Sequence, residues 1–236
     1  MVLYKKPMEI QISKIIRSRR RTIELQINSD STLIVRAPLR VSEKYINKLV
    51  YKKRLWISKK QEFMLRQKHL IKQKEFISGE SFLYLGNTYK LQIVDNSKLP
   101  LLPLSFENSA GVFLLSRDKL DKAKELFILW YKEQAKQKIT GRVDFYCSQT
   151  GLKYNKIRIT DAGSRWGSCG SKNGLNFNWR LIMAPPGVLD YVVAHEIAHI
   201  MEKNHSKRFW MKVETIFPDY KIHRKWLKEN KYQLLF

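Results

Sequence analysis

Two histidines four residues apart, His195 and His199, with Glu196 beside the first, constrain this chain more than any other feature. On an α-helix that spacing projects both imidazoles from one side, one turn apart. Two nitrogens can then reach a single ion at the roughly 2.0–2.1 Å that zinc requires. Glu196 points to one side of the pair, where a carboxylate can take a proton from water activated by such an ion. The surrounding residues predict the helix that this chemistry needs. Pro185 and Pro186 suit a first helical turn. Leu189, Val193, Ile197 and Ile200 repeat at helical spacing and form its buried face.

Catalytic zinc sites keep three protein ligands and leave one position open. His205 is the leading third ligand, and Glu214 on the following segment is the alternative. His205 lies six residues beyond His199, about 9 Å further along the axis of a continuous helix. The helix must therefore stop between them, and Asn204 is the expected left-handed cap. Ser206 then caps a new helix carrying Phe209, Trp210, Val213 and Ile216, which ends at Pro218. His69 and His223 read as surface residues.

Upstream, Leu175 to Met183 alternates apolar and polar side chains, the pattern of a strand. Beside a metal-binding helix such a strand either forms ordinary core or offers backbone groups to an extended peptide. Asn178 and Arg180 lie on it. The preceding loop, Gly163 to Gly170, has three glycines and places Arg165 to face an anionic group. Arg165, Asn178 and Arg180 are therefore the candidate substrate-binding residues. Cys169 reads as an inert, buried thiol rather than a ligand.

The rest of the chain predicts an α+β protein. Thr22–Ile27 and Thr32–Arg36 form a hairpin closed by Asn28–Ser31 and stopped by Pro38. Ser42 caps a basic helix extending to about Phe76, with a break near Ser58. Phe82–Val94 is a second hairpin turning at Gly86-Asn87. Phe106 and Val112–Leu115 flank another turn. Ser116 caps a long helix, with Leu120, Ala123, Phe127, Trp130 and Tyr131 on its inner side, that ends near Gly151. A boundary is expected near residue 116, separating regions 1–115 and 116–236.

Composition sets limits on the class. The chain has 236 residues, of which 44% are hydrophobic, so it can build a core despite a net charge of +24. The N-terminal residues Met1–Glu9 lack the apolar core of a secretory signal, and no apolar run reaches the roughly 20 residues of a membrane helix. Two cysteines, Cys147 and Cys169, are too few for a disulfide framework, which fits a reducing, cytoplasmic setting. Basic residues concentrate in Arg17–Arg21 and in Lys52–Lys60, runs that attract phosphates and acidic surfaces.

Several segments together resemble the YgjP-like metallopeptidase-domain family, which belongs to the zincin group and is related to SprT-like proteins. They are Ser164-Arg165-Trp166-Gly167-Ser168-Cys169, Asn176–Leu181, Ala184-Pro185-Pro186, His195–His199 with His205, and Phe209-Trp210. Arg20-Arg21-Thr22, Val35–Pro38 and Tyr84-Leu85-Gly86 match more loosely. The resemblance implies a zincin-like C-terminal domain with zinc on His195, His199 and His205, and Glu196 as general base. The expected function is zinc-dependent hydrolysis of a peptide or protein. Two alternatives remain: a metal-dependent hydrolase of nucleotide phosphoanhydrides, and a nucleic-acid-binding module with a structural metal.

Overall fold

The computed structural model describes residues 10–28, 30–68, 74–95, 102–163 and 165–235. His69, Ser164 and the N-terminal residues 1–9, which entered the expectations above, lie outside that set. The chain forms a mixed α+β protein with two compact units, residues 1–72 and 73–236. This division differs from the boundary expected near residue 116. Phe113 and Leu115, before that point, belong to the same core as Phe127 and Tyr131 after it.

In the first unit, β2 (Glu24–Ile27) and β3 (Leu33–Pro38) form the expected antiparallel hairpin. A further strand, β1 (Ile12–Ser18), pairs in parallel with β3 and makes β3 central. Its sequence, ISKIIRS, lacks strict alternation, which is why periodicity does not reveal it. Ser42 caps helix α1 (Glu43–Lys52) by accepting from the Tyr45 amide. Ile46 and Val50 form its inward face. The helix breaks at Lys53 rather than near Ser58, and α2 (Arg54–Lys68) follows. Phe76 is not helical: its φ is +55°.

The second unit holds the candidate site. Strands β4 (Ser81–Tyr84), β5 (Asn87–Val94), β6 (Leu104–Glu107) and β7 (Val112–Ser116) form a sheet in the order β4-β5-β7-β6. The β4–β5 turn uses Leu85 and Gly86, both with positive φ, as a tight hairpin requires. A 3-10 turn over Arg117–Lys122 intervenes before the long helix α3 (Ala123–Thr150), leaving Leu120 exposed instead of buried. Gly151 closes α3 in the left-handed conformation, as expected. One stripe of α3, from Phe127 through Tyr131, Ala135 and Ile139 to Val143, is fully buried.

Strands β8 (Ile157–Thr160), β9 (Gly167–Cys169) and β10 (Leu175–Asn178) form a second sheet with β10 in the middle. The strand expected to run to Met183 ends at Asn178. There the Asn178 side chain accepts from the Arg180 amide and starts a 3-10 helix over Trp179–Met183. Local side-chain capping overrides the alternating pattern. Trp179, Leu181, Ile182 and Met183 are all buried, so apolar side chains here point inward all round.

Helix α4 (Pro186–Met201) packs on α3. Arg142 on α3 grips Asp190 on α4 through Nε at 2.5 Å and a terminal nitrogen at 3.0 Å. Such a two-pronged pair fixes both position and orientation. Two helices follow, α5 (Lys207–Ile216) and α6 (Tyr220–Asn230). No helix among the described residues is long and apolar enough to cross a membrane.

Candidate metal centre

Helix α4 carries His195, Glu196 and His199 in its last two turns, with Leu189, Val193 and Ile197 buried beneath. The helix ends at Met201, where Glu202 turns into an extended conformation at φ −131°. The break expected before His205 is present, but Glu202 makes it rather than Asn204. An extended C-cap needs no left-handed residue, so no glycine or asparagine marks it in the sequence. Ser206 accepts from the Phe209 amide at 3.3 Å and starts α5, as predicted.

This reversal brings His205 back over the helix. Its Nε2 lies 3.0 Å from Nε2 of His195. One ligand atom from each of His195, His199 and His205 falls within 4.8 Å of the others. Their ring centroids are 4.7–5.0 Å apart. His199 donates from Nδ1 to the Glu202 carbonyl at 2.9 Å, which leaves its Nε2 lone pair for an ion. The residue that ends the helix thus also orients a ring.

The electrostatics favour neutral imidazoles at His195 and His199. Burial, then the neighbouring His199, His205 and Arg224, push the His195 pKa down to about 3. Burial also lowers that of His199, against the opposing pull of its bond to Glu202. Imidazole nitrogens converging in this way suit a divalent metal. Burial pushes the Glu196 carboxyl up to about 8, with Arg165 partly opposing. Glu196 is only 4% exposed, and its Oε2 has no hydrogen-bond partner. A carboxylate in that setting is costly unless a cation or a polar ligand joins it. The three nitrogens and the open carboxylate therefore fit a divalent metal with water beside it.

Strand β9 lies against Glu196. A Cβ at Gly167 would stand 2.5 Å from Oε1 and 2.6 Å from Cγ of Glu196, so only glycine permits this approach. The ring of Phe209 packs against all three histidines at 4.4–4.8 Å, and Trp210 lies 5.7 Å from His195 and 5.9 Å from His205. These aromatics wall the site from α5. Arg224 on α6 sits over the Trp210 ring at 4.3 Å.

The other expected residues sort differently. Arg165 is exposed and close enough to Glu196 to favour its charged form. Asn178 is 4% exposed, and both its polar atoms are engaged within the chain, with Ala162 and Arg180. Arg180 pairs with Asp161 and lies over Trp179. Neither is free to bind a substrate as it stands. Glu214, the alternative ligand, pairs with Lys221 at 2.9 Å and is outside the histidine group. His223 is half-buried rather than fully exposed. It packs against Gly187, where a Cβ would come 2.3 Å from its ring. Cys169 is half-buried, with Lys203 3.5 Å from its sulfur. Gly167, the Glu202 carbonyl and Arg224 escape sequence reasoning, because each acts through a neighbour distant in the chain or through the backbone.

No match was found among curated proteins. Among solved structures, the metallopeptidase zymogen abylysin of Pyrococcus abyssi is 19% identical, with a TM-score of 0.35 over 38% of this chain and 93% of its own. The metallopeptidase zymogen jannalysin of Methanocaldococcus jannaschii is 20% identical, with a TM-score of 0.35 over 41% of this chain and 97% of its own. The YgjP-like metallopeptidase domain matches residues 21–230, a span that takes in both the histidine group and the strands and helices that seat it, and the chain belongs to that family.

Proposed function

We propose that the protein is a zinc metallopeptidase of zincin type, in which His195, His199 and His205 hold the metal and Glu196 is the general base. The observation that carries this reading is the unpartnered, buried Oε2 of Glu196 beside three converging imidazoles. A divalent metal at that place supplies Lewis acidity toward the scissile carbonyl and toward water. Glu196 takes a proton from the attacking water at its carboxylate and delivers it to the leaving amine. A cation held by the three histidines would join Arg165 in favouring the carboxylate form that the first step needs. In this reading Tyr191, whose ring centroid lies 5.9 Å from that of His195 and whose pKa burial raises to about 12, is the donor to the developing oxyanion.

The substrate chain lies along β9. Strand β10 is central, with β8 and β9 on either side, so it reads as core and cannot accept a peptide. Strand β9 is at the edge of its sheet and packs on α4 through Gly167. An extended peptide pairing with that edge would pass beside Glu196. Three rather than four protein ligands gather among the described residues, which supports a catalytic over a structural metal. Nucleotide and nucleic-acid partners draw no support from the family.

The test is Glu196→Gln. The variant should keep a stoichiometric metal by elemental analysis and lose peptide hydrolysis by about 10²–10⁴-fold. Wild-type turnover by pure Glu196→Gln protein would refute the assignment.

A further inference from the structure

The guanidinium of Arg224 is held and unpaired. It lies 4.3 Å from the centroid of the Trp210 ring. Trp210 packs across Tyr220, stacked at 5.5 Å and 18°, so the indole touches two α6 residues one turn apart. Among the described residues Arg224 has no carboxylate partner. Other cations of this unit do: Arg142 holds Asp190, Arg180 holds Asp161 and Lys221 holds Glu214. The indole that carries Arg224 is the same one that flanks His195 and His205. The charge is therefore one ring away from the metal-binding nitrogens, and it is felt at His195 and at Tyr191.

Pinning changes what such a charge can do. A free surface arginine loses side-chain entropy when it binds. One already laid on an aromatic face loses less, and its planar fork remains open for two parallel bonds to a carboxylate. We infer that Arg224 is a specificity-determining residue that selects peptides with an acidic side chain, or a terminal carboxylate, within about two residues of the cleaved bond. Each extended residue spans about 3.3–3.6 Å, so a carboxylate at that separation reaches across the indole. The surrounding charge agrees: Arg165, Lys203, Lys207 and Arg208 add positive charge in the segments that frame the histidines.

This inference rests on the metallopeptidase reading, and the test separates the two. Two alanine-rich fluorogenic peptides, identical except for one glutamate or glutamine beside the cleavable bond, are compared on wild type, Arg224→Gln and Arg224→Lys. Wild type should prefer the glutamate peptide by about tenfold in kcat/KM, mostly through KM. Arg224→Gln should abolish the preference, so that it cleaves the two peptides with equal kcat/KM, and Arg224→Lys should restore part of it. An unchanged preference in Arg224→Gln, or equal cleavage of both peptides by wild type, overturns the inference and leaves the peptidase reading standing. If wild type cleaves neither peptide, the peptidase reading fails. Arg224 is then judged by fluorescence anisotropy of the labelled glutamate peptide. Salt-sensitive binding by Glu196→Gln that disappears in Glu196→Gln/Arg224→Gln upholds carboxylate recognition, and equal binding by the two refutes it.

Discussion

Helix α4 carries two carboxylates six residues apart, and they live under opposite rules. Asp190, near its start, is gripped by both prongs of Arg142, and Tyr146 donates its ring as a further wall to that guanidinium. Glu196, near its end, is more deeply buried yet has an oxygen with no partner. Burial without a partner costs free energy, so a fold keeps such a group only where something else completes it. The first half of the helix is closed and structural. The second is left open on one side, toward three imidazoles.

That contrast can be broken from either end. The largest stability effect should come from Asp190→Ala, which strands the Arg142 guanidinium between α3 and α4. Urea unfolding should show a loss of about 2–3 kcal/mol, with metal content unchanged. A loss of metal as well would mean that the two halves of α4 are not independent. Gly167→Ala presses a methyl group into the Glu196 side chain and should cost about 1–3 kcal/mol. Unlike Asp190→Ala, it should also reduce peptide hydrolysis, because the crowded group is the proposed base. A fully active Gly167→Ala enzyme would show that β9 does not set the position of Glu196.

The smallest effect is one of pH. In the chelated protein the Glu196 pKa is raised to about 8, above its ordinary value, so the folded state holds a proton that the unfolded state releases. Stability is then lost as pH rises toward 8. The histidines have lowered pKa values, so their contribution is lost only as pH falls below about 6.5. Between pH 6.5 and 8 the Glu196 effect stands alone among these groups. Melting temperatures of metal-free wild type should fall across that window by the equivalent of about 1–2 kcal/mol, and those of Glu196→Gln should stay flat. Matching slopes would place the titration on another group.

Local rules were readable where one residue decides the outcome. Ser42, Ser206 and Gly151 each end or begin a helix as their chemistry predicts, and the periodicity of Leu189, Val193 and Ile197 placed α4. The meeting of His195, His199 and His205 followed from spacing plus the need for a break. The rest depended on partners that a linear reading cannot supply. Strand β1 exists because β3 has a free side. Asn178 and Arg180 looked like substrate contacts because nothing in the sequence announces Ala162 or Asp161 as their partners. Asn204 looked like the cap because left-handed caps have a residue signature, whereas the extended turn at Glu202 has none.

The turn between β4 and β5 gives the site a long-range dependence. The Leu85 and Gly86 amides donate to the Ile182 and Met183 carbonyls, and a Cβ at Gly86 would press within 2.8 Å of Pro185. The first residues of α4 are therefore seated by a hairpin that lies about a hundred positions earlier in the chain. A fragment beginning at residue 116 would contain His195, His199, His205 and Glu196, yet lack the surface on which their helix starts. Assembly of the site is a non-local folding event, complete only when the four-stranded sheet has formed.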